Sequence, residues 1–290
     1  MIDPLERMHR RLRLHRDRLA TILESLRHGS ADVEELHEWH RELKRLRLDA
    51  RLWVRLAPRG RTSGYPETDA ALKRLARSVG SVRNHDVGLE LLSRLGQRRH
   101  TTILPTDLKV VTRRLVEAAH TGRTALAASV GGSPGEELLR AFERPLGAVL
   151  PRAAIPRLHS ALDDELTVRL ARLERALGRA YRRPSIARLH RLRIALRSAR
   201  IVEQTRRAVL GTPPLPVSPA LRKMQVELGQ LNDLEVLRRT AASSVAGAAR
   251  KRVDRVLRRE RRDRRRELER RLGRKEVRRD WERLLDGGPG

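Results

Sequence analysis

His37, His40, Lys44, Arg47 and Arg51 follow one another at intervals of 3, 4, 3 and 4 residues. His190, Arg193, Arg197 and Arg200 repeat the first three intervals, at an offset of 153 residues. A helix turns about 100° per residue, so each set gathers within an arc of about 80° and forms one ridge of positive charge. The chemistry such a ridge offers is anion binding. Arg presents a planar fork to two phosphate oxygens, stays charged at any relevant pH and gives up hydration more readily than Lys. Cations about 5.4 Å apart along a helix suit a flexible ligand with charge on every repeating unit. An ordinary solvated helix face is the competing reading, but residues 187–202 contain no Asp or Glu to supply the usual i,i+4 pairing.

The elements that must carry these side chains are helices. Leu36, Trp39, Leu43, Leu46, Ala50 and Trp53 fill the arc beside the first stripe, as Leu189, Leu192, Leu196 and Ala199 do beside the second, so each ridge borders a packed face. Gly and Pro punctuation predicts helices over 4–27, 32–56, 67–95 and 107–128, the first closed by Gly29-Ser30, the second by Pro58 and Gly60, the fourth capped by Thr106. A second set is predicted over 157–180, 185–210, 219–243 (opened by Ser218 and Pro219) and 247–285. Residues 129–156 hold eight Gly and Pro residues and read as a connector with at most a short helix at 136–144. Strands are not expected, because no segment sustains alternation of period two. The segments 75–92 and 225–239 also align, Gly80 with Gly229 and Asn84-His85-Asp86 with a shifted Asn232-Asp233. Two ordered matches at nearly one offset point to an internal duplication, with halves at 1–128 and 157–290.

Composition indicates the kind of partner. The 290 residues hold 65 Lys+Arg, all but six of them Arg, against 36 Asp+Glu, a formal net charge of +29. Such an excess repels itself when folded and is expected where an anionic polymer relieves it. No cysteine is present, which excludes disulfides, thiolate catalysis and Cys-ligated zinc. No apolar run approaches the roughly 20 residues that span a bilayer, and the N-terminal segment has no signal-peptide core, so the expectation is a cytoplasmic chain with no membrane span.

With these motifs in hand, the chain resembles the conserved histidine α-helical domain, or CHAD, family. Its hallmark is a His-x-x-Arg-x-x-x-Arg/Lys-x-x-Arg helix in each half, followed by a Gly-x-x-Arg/Leu-Asn/Asp-x-Asp/Glu-Val-like segment. His190, Arg193, Arg197 and Arg200 match it throughout; the first copy matches at His37, Lys44, Arg45, Arg47 and Arg51 but carries His40 where the family usually has Arg. The resemblance implies an all-α fold of two four-helix bundle halves in pseudo-two-fold arrangement around a basic central channel that binds inorganic polyphosphate. It also implies a stand-alone member, since the Glu-x-Glu-x-Lys signature of a triphosphate tunnel domain is missing. The expected site is therefore His37, His40, Lys44, Arg45, Arg47, Arg51, His190, Arg193, Arg197 and Arg200, acting without cofactor, metal or catalysis, and compatible with association with storage granules.

Other residues test that expectation. His9, His15, His100, His120 and His159 stand outside the motif and read as surface residues, while Arg10, Arg11 and Arg13 could widen a basic channel or simply face water. His85-Asp86 is the one hint of a metal-dependent phosphohydrolase, but its counterpart Asn232-Asp233 has no histidine. The Asn and Asp side chains are instead expected to hydrogen-bond between helices. Asp163-Asp164-Glu165 reads as helix-start charge. The segment from Arg250 to Asp286 carries 18 Lys+Arg and 9 Asp+Glu and invites a nonspecific nucleic-acid reading. Aromatic content of only 2% argues against stacking on single strands, but weaker binding to duplex phosphates stays open.

Overall fold

The computed structural model describes residues 2–29, 31–57, 65–97, 103–131, 133–147, 150–213, 219–244 and 247–286, and among them every regular element is helical. The elements are α1 (Pro4–Arg27), α2 (Val33–Leu56), α3 (Tyr65–Gly96), α4 (Pro105–Val130), α5 (Ser133–Leu146), α6 (Ile155–Arg182), α7 (Ile186–Leu210), α8 (Pro219–Ser244), α9 (Gly247–Leu272) and α10 (Lys275–Asp286), with a 3₁₀ turn at Arg152–Ala154 leading into α6. The protein is all-α, as expected.

The helix starts follow their caps. Asp3 accepts from the Glu6 amide at 2.9 Å with Pro4 at the first helical position. Asp32 and Glu35 form a reciprocal capping box, Asp32 accepting from the Glu35 amide at 2.7 Å and Glu35 from the Asp32 amide at 3.0 Å. Ser185 accepts from the Arg188 amide at 3.3 Å and opens the second stripe helix. Gly29, at φ +66°, takes the left-handed conformation that closes α1. The stop expected at Pro58 and Gly60, Ser30 and the Ser218 opening lie outside the described residues.

Three boundaries differ from the sequence reading. α4 begins at Pro105, so Thr106 lies inside the first turn rather than capping it; proline is preorganised there and its missing amide had no acceptor to lose. The connector carries a 14-residue helix, α5, longer than expected because Phe142 is wholly buried and anchors it. The single final helix is two. At Gly273 the chain tightens, with Gly273 N–H donating to Glu269 at 3.1 Å and Arg274 N–H to Arg271 at 3.0 Å, and α10 restarts to bury Val277 and Trp281.

The chain divides into two compact units, each assembled from separated segments: Met1–Arg83, His120–Glu165 and Gln204–Pro213; and Asn84–Ala119, Leu166–Glu203 and Pro214–Gly290. In the first unit α1 packs on α2 and α5, burying Leu5, Met8, Leu12, Leu19, Ile22 and Leu26 of α1 against Leu36, Leu43, Leu46 and Trp53 of α2. In the second, α8 packs along α9 around Leu92, Val111, Leu115, Leu234, Leu237, Val253 and Leu257.

Candidate functional site

α2 holds the first stripe at the edge of its buried face. His37, His40, Lys44, Arg45 and Arg47 are half-buried and Arg51 is exposed, while the neighbouring arc from Leu36 to Trp53 is buried as its periodicity requires. His40 uses both ring nitrogens inside the protein: Nδ1 lies 3.0 Å from the Ala76 carbonyl oxygen, and Nε2 is 2.6 Å from Lys44 Nζ. The carbonyl requires an N–H at Nδ1 and the ammonium requires a lone pair at Nε2, so the ring is neutral and its contact fixes Lys44. Gly80 makes this possible. A Cβ at that position of α3 would stand 2.7 Å from His40 Cε1, so only glycine lets the imidazole lie against the helix backbone. Arg47 is clamped by Asp69, both oxygens accepting at 2.8 Å. Arg45 lies 3.4 Å from Glu42 and 3.5 Å from Gln204. The outward charge of this stripe is therefore smaller than its residue types suggest, because Asp69 matches Arg47 and Glu42 lies against Arg45.

Beneath this stripe lies a charged network that the sequence reading missed. His15 is 3% exposed and so is not a surface residue, correcting that expectation. Its Nδ1 lies 2.5 Å from Glu42 and its Nε2 2.8 Å from Asp49, both of them buried carboxylates on α2. Arg11 donates to Asp49 at 3.1 and 2.8 Å, Thr205 donates to the other Asp49 oxygen at 2.9 Å, and Arg18 donates to Glu42 at 2.8 Å. Burial alone would push the His15 pKa down, but hydrogen bonds and charge from Asp49 and Glu42 outweigh it and hold it above the ordinary value. Burial likewise pushes both acids up, and the cations win: Glu42 is lowered to about 2 and Asp49 is lowered as well. The ring is thus an imidazolium donating from both nitrogens, and Arg11 is absorbed in structure rather than in a channel. A signal was present. His15 falls in the row Leu5, Met8, Leu12, His15, Leu19, Ile22, Leu26, spaced 3, 4, 3, 4, 3, 4, which is the buried face of α1. His9 also turns inward, stacking on Trp53 with ring centroids 5.4 Å apart, while His120 and His159 are exposed as expected and His100 lies outside the described residues.

The second stripe lies on the part of α7 that belongs to the second unit. Leu189, Leu192, Leu196 and Ala199 are buried; Arg193 and Arg197 are half-buried beside them, and His190 and Arg200 are exposed. Arg200 donates to Gln225 of α8 at 2.9 Å. Beside the His190 end, α7, α8 and α9 enclose a groove of about 630 Å³ whose polar lining includes His190, Arg191, Asn232, Glu235, Arg239 and Arg261. Glu235 is ringed by Arg238, Arg239 and Arg261, which overcome its burial and lower its pKa to about 2. One carboxylate thus holds three guanidinium groups in place, and the groove stays basic.

The remaining motif residues behave differently from expectation in part. Asp86 is buried, but Asn232 donates to its neighbour Asp233 at 3.4 Å within α8 rather than across to another helix. Asp163 and Asp164 sit well inside α6, not at its start, and face Arg206 at 2.6 Å and Arg55 at 3.8 Å. No group of three or more His, Cys, Asp or Glu side chains arranged to hold a metal ion occurs among the described residues. Nor, among them, is any helix long and apolar enough to cross a membrane.

Comparison with known proteins agrees with the fold and the motifs. The family model of the CHAD domain matches residues 10–242, so this chain belongs to the CHAD family. Among solved structures it is similar to PptA from Streptomyces chartreusis, at 18% identity, with 97% of this chain and 98% of that one covered and a TM-score of 0.58. At that identity the likeness shows the fold alone. No curated protein matches the chain.

Proposed function

We propose that this protein binds inorganic polyphosphate, without turning it over, through the basic stripes of α2 and α7. The observation that carries the reading is the α7 stripe: His190, Arg193, Arg197 and Arg200 flank a buried apolar row in a segment, 187–202, that contains no acid. Half-burial strengthens the field of Arg193 and Arg197 relative to a fully solvated cation. Membership in the CHAD family supports the choice of ligand. On α2, Arg51 is exposed and Lys44 is held by His40, while Arg47 is matched by Asp69 and Arg45 lies against Glu42. His40 contributes by holding Lys44.

The test is a titration with long-chain polyphosphate. Replacing Arg193, Arg197 and Arg200 with Gln should weaken binding at least tenfold, about 1.4 kcal/mol. Replacing Lys44 and Arg51 with Gln should also weaken it, with Arg47 left in place because Asp69 depends on it. Circular dichroism should show unchanged helicity, and no phosphate should be released in the presence of Mg²⁺ or Mn²⁺. Parent-like affinity in the α7 variant would make that stripe a solvated face and end the proposal.

A further inference from the structure

α9 carries a third row of cations, outside the residues matched by the family model. Lys251, Arg255, Arg259, Arg262 and Arg266 are all exposed and spaced 4, 4, 3 and 4 apart. That spacing confines them to an arc of about 80° along about 22 Å of helix. The acids of α9 are engaged elsewhere: Asp254 with Arg238 and Arg258, Glu260 with Arg264, Glu267 with Arg270 and Arg271, Glu269 with Arg265. The five ridge cations have no ion-pair partner among the described residues, and Asp263 alone interrupts the edge of the ridge. An exposed row of like charges on one helix is destabilising by itself, so its retention calls for a partner.

The ridge is not isolated from the α7 stripe. Both lie in the second unit, and the groove between them is lined by His190 and Arg191 from α7, Arg239 from α8 and Arg261 from α9. Arg265 and Arg258, each paired with one acid of α9, occupy the helical positions between Arg261 and the ridge, so guanidinium groups continue from the groove to the ridge. The ridge has no apolar side chain to insert into a bilayer, and the chain's three Trp, two Tyr and one Phe provide no stacking row along it.

Resting on the polyphosphate reading above, we propose that a long polyphosphate chain held on the α7 stripe continues past His190 through the α7/α8/α9 groove and onto the α9 ridge, making the protein a sensor of chain length. Once the first stretch is bound, the second contact is intramolecular and adds affinity that a short chain cannot gain.

The experiment compares chains of about 10 and about 100 phosphates, together with duplex DNA, on four forms of the full chain. In Arg255→Gln/Arg259→Gln/Arg262→Gln/Arg266→Gln, affinity for the long chain should fall at least tenfold toward that of the short chain, while short-chain affinity stays within about twofold of the parent. A control lacking four other exposed arginines, Arg140, Arg157, Arg172 and Arg175, should bind the long chain like the parent, which separates a track from bulk charge. The Arg193/Arg197/Arg200→Gln variant should lose both chains; if it loses neither, the underlying reading fails instead. The track is overturned if the ridge variant binds the long chain like the parent, if ridge and control variants weaken alike, or if the ridge variant loses only DNA, which would make α9 a nucleic-acid surface.

Discussion

His15 shows how a single side chain can carry more structure than its position in the sequence advertises. Its two ring nitrogens meet two buried carboxylates, so removing the ring leaves Asp49 to Arg11 and Thr205, and Glu42 to Arg18 and the more distant Arg45. Breaking a buried charge set by removing one member costs about 3–5 kcal/mol. We expect His15→Gln to be destabilised by an amount in that range, read by urea unfolding. The pH dependence has a definite sign. Because burial is outweighed by Asp49 and Glu42 and the folded pKa is raised, this contribution is complete below the unfolded value of about 6.5 and fades as pH rises through the folded one. The parent should therefore lose stability on the alkaline side, and His15→Gln should lose that slope. A parent whose stability is flat there, or a variant that keeps the slope, would refute the imidazolium assignment. The acids act at the opposite end: Glu42 contributes above about 4.3 and is lost as pH falls through about 2.

Between elements, the two motif glycines offer a paired test of why α2 and α3 meet as they do. At Gly229 an added Cβ meets nothing within 4 Å, so Gly229→Ala should stabilise the helix by about 0.5–1 kcal/mol. At Gly80 the same change drives a methyl group into the His40 ring, which is held in place by the Ala76 carbonyl and Lys44, so Gly80→Ala should be destabilising by about 1–2 kcal/mol and should weaken polyphosphate binding by displacing Lys44. Equal effects at the two sites would remove the packing role given to Gly80. This scale also shows what could be read in advance. α1, α2 and α7 came within a residue or two of their expected ends because caps and Pro/Gly signals agree with the apolar period there. Gly273 did not announce a break, since a lone glycine inside a charged helical stretch is as compatible with continuation as with a stop; the burial of Trp281, a tertiary event, decides it. For the same reason the stripes could be placed on their helices, but the clamp on Arg47 and the anchor of His40 could not, because Asp69 and Ala76 come from α3 and no periodicity within α2 reports them.

For the molecule as a whole the net charge of +29 ensures that any polyanion is attracted, so charge alone identifies no ligand. Affinity for polyphosphate and for duplex DNA must fall alike as salt rises, since both associations release counterions. What separates them is where the useful cations sit. Arg193 and Arg197 are half-buried on the flank of a packed helix, where a thin, flexible chain can approach and adapt unit by unit. A rigid duplex presents phosphates at a fixed spacing and reaches mainly the exposed side chains. At equal phosphate concentration and physiological salt, long polyphosphate should bind at least about 100-fold more tightly than duplex DNA, a gap of about 2.7 kcal/mol. Gln at Arg193, Arg197 and Arg200 should close most of that gap from the polyphosphate side while leaving the weak DNA affinity nearly unchanged, because the duplex draws on the exposed surface that remains. Equal affinity of the parent for the two polymers, or parallel loss of both in the variant, would mean that the stripes act only as part of a diffuse positive surface.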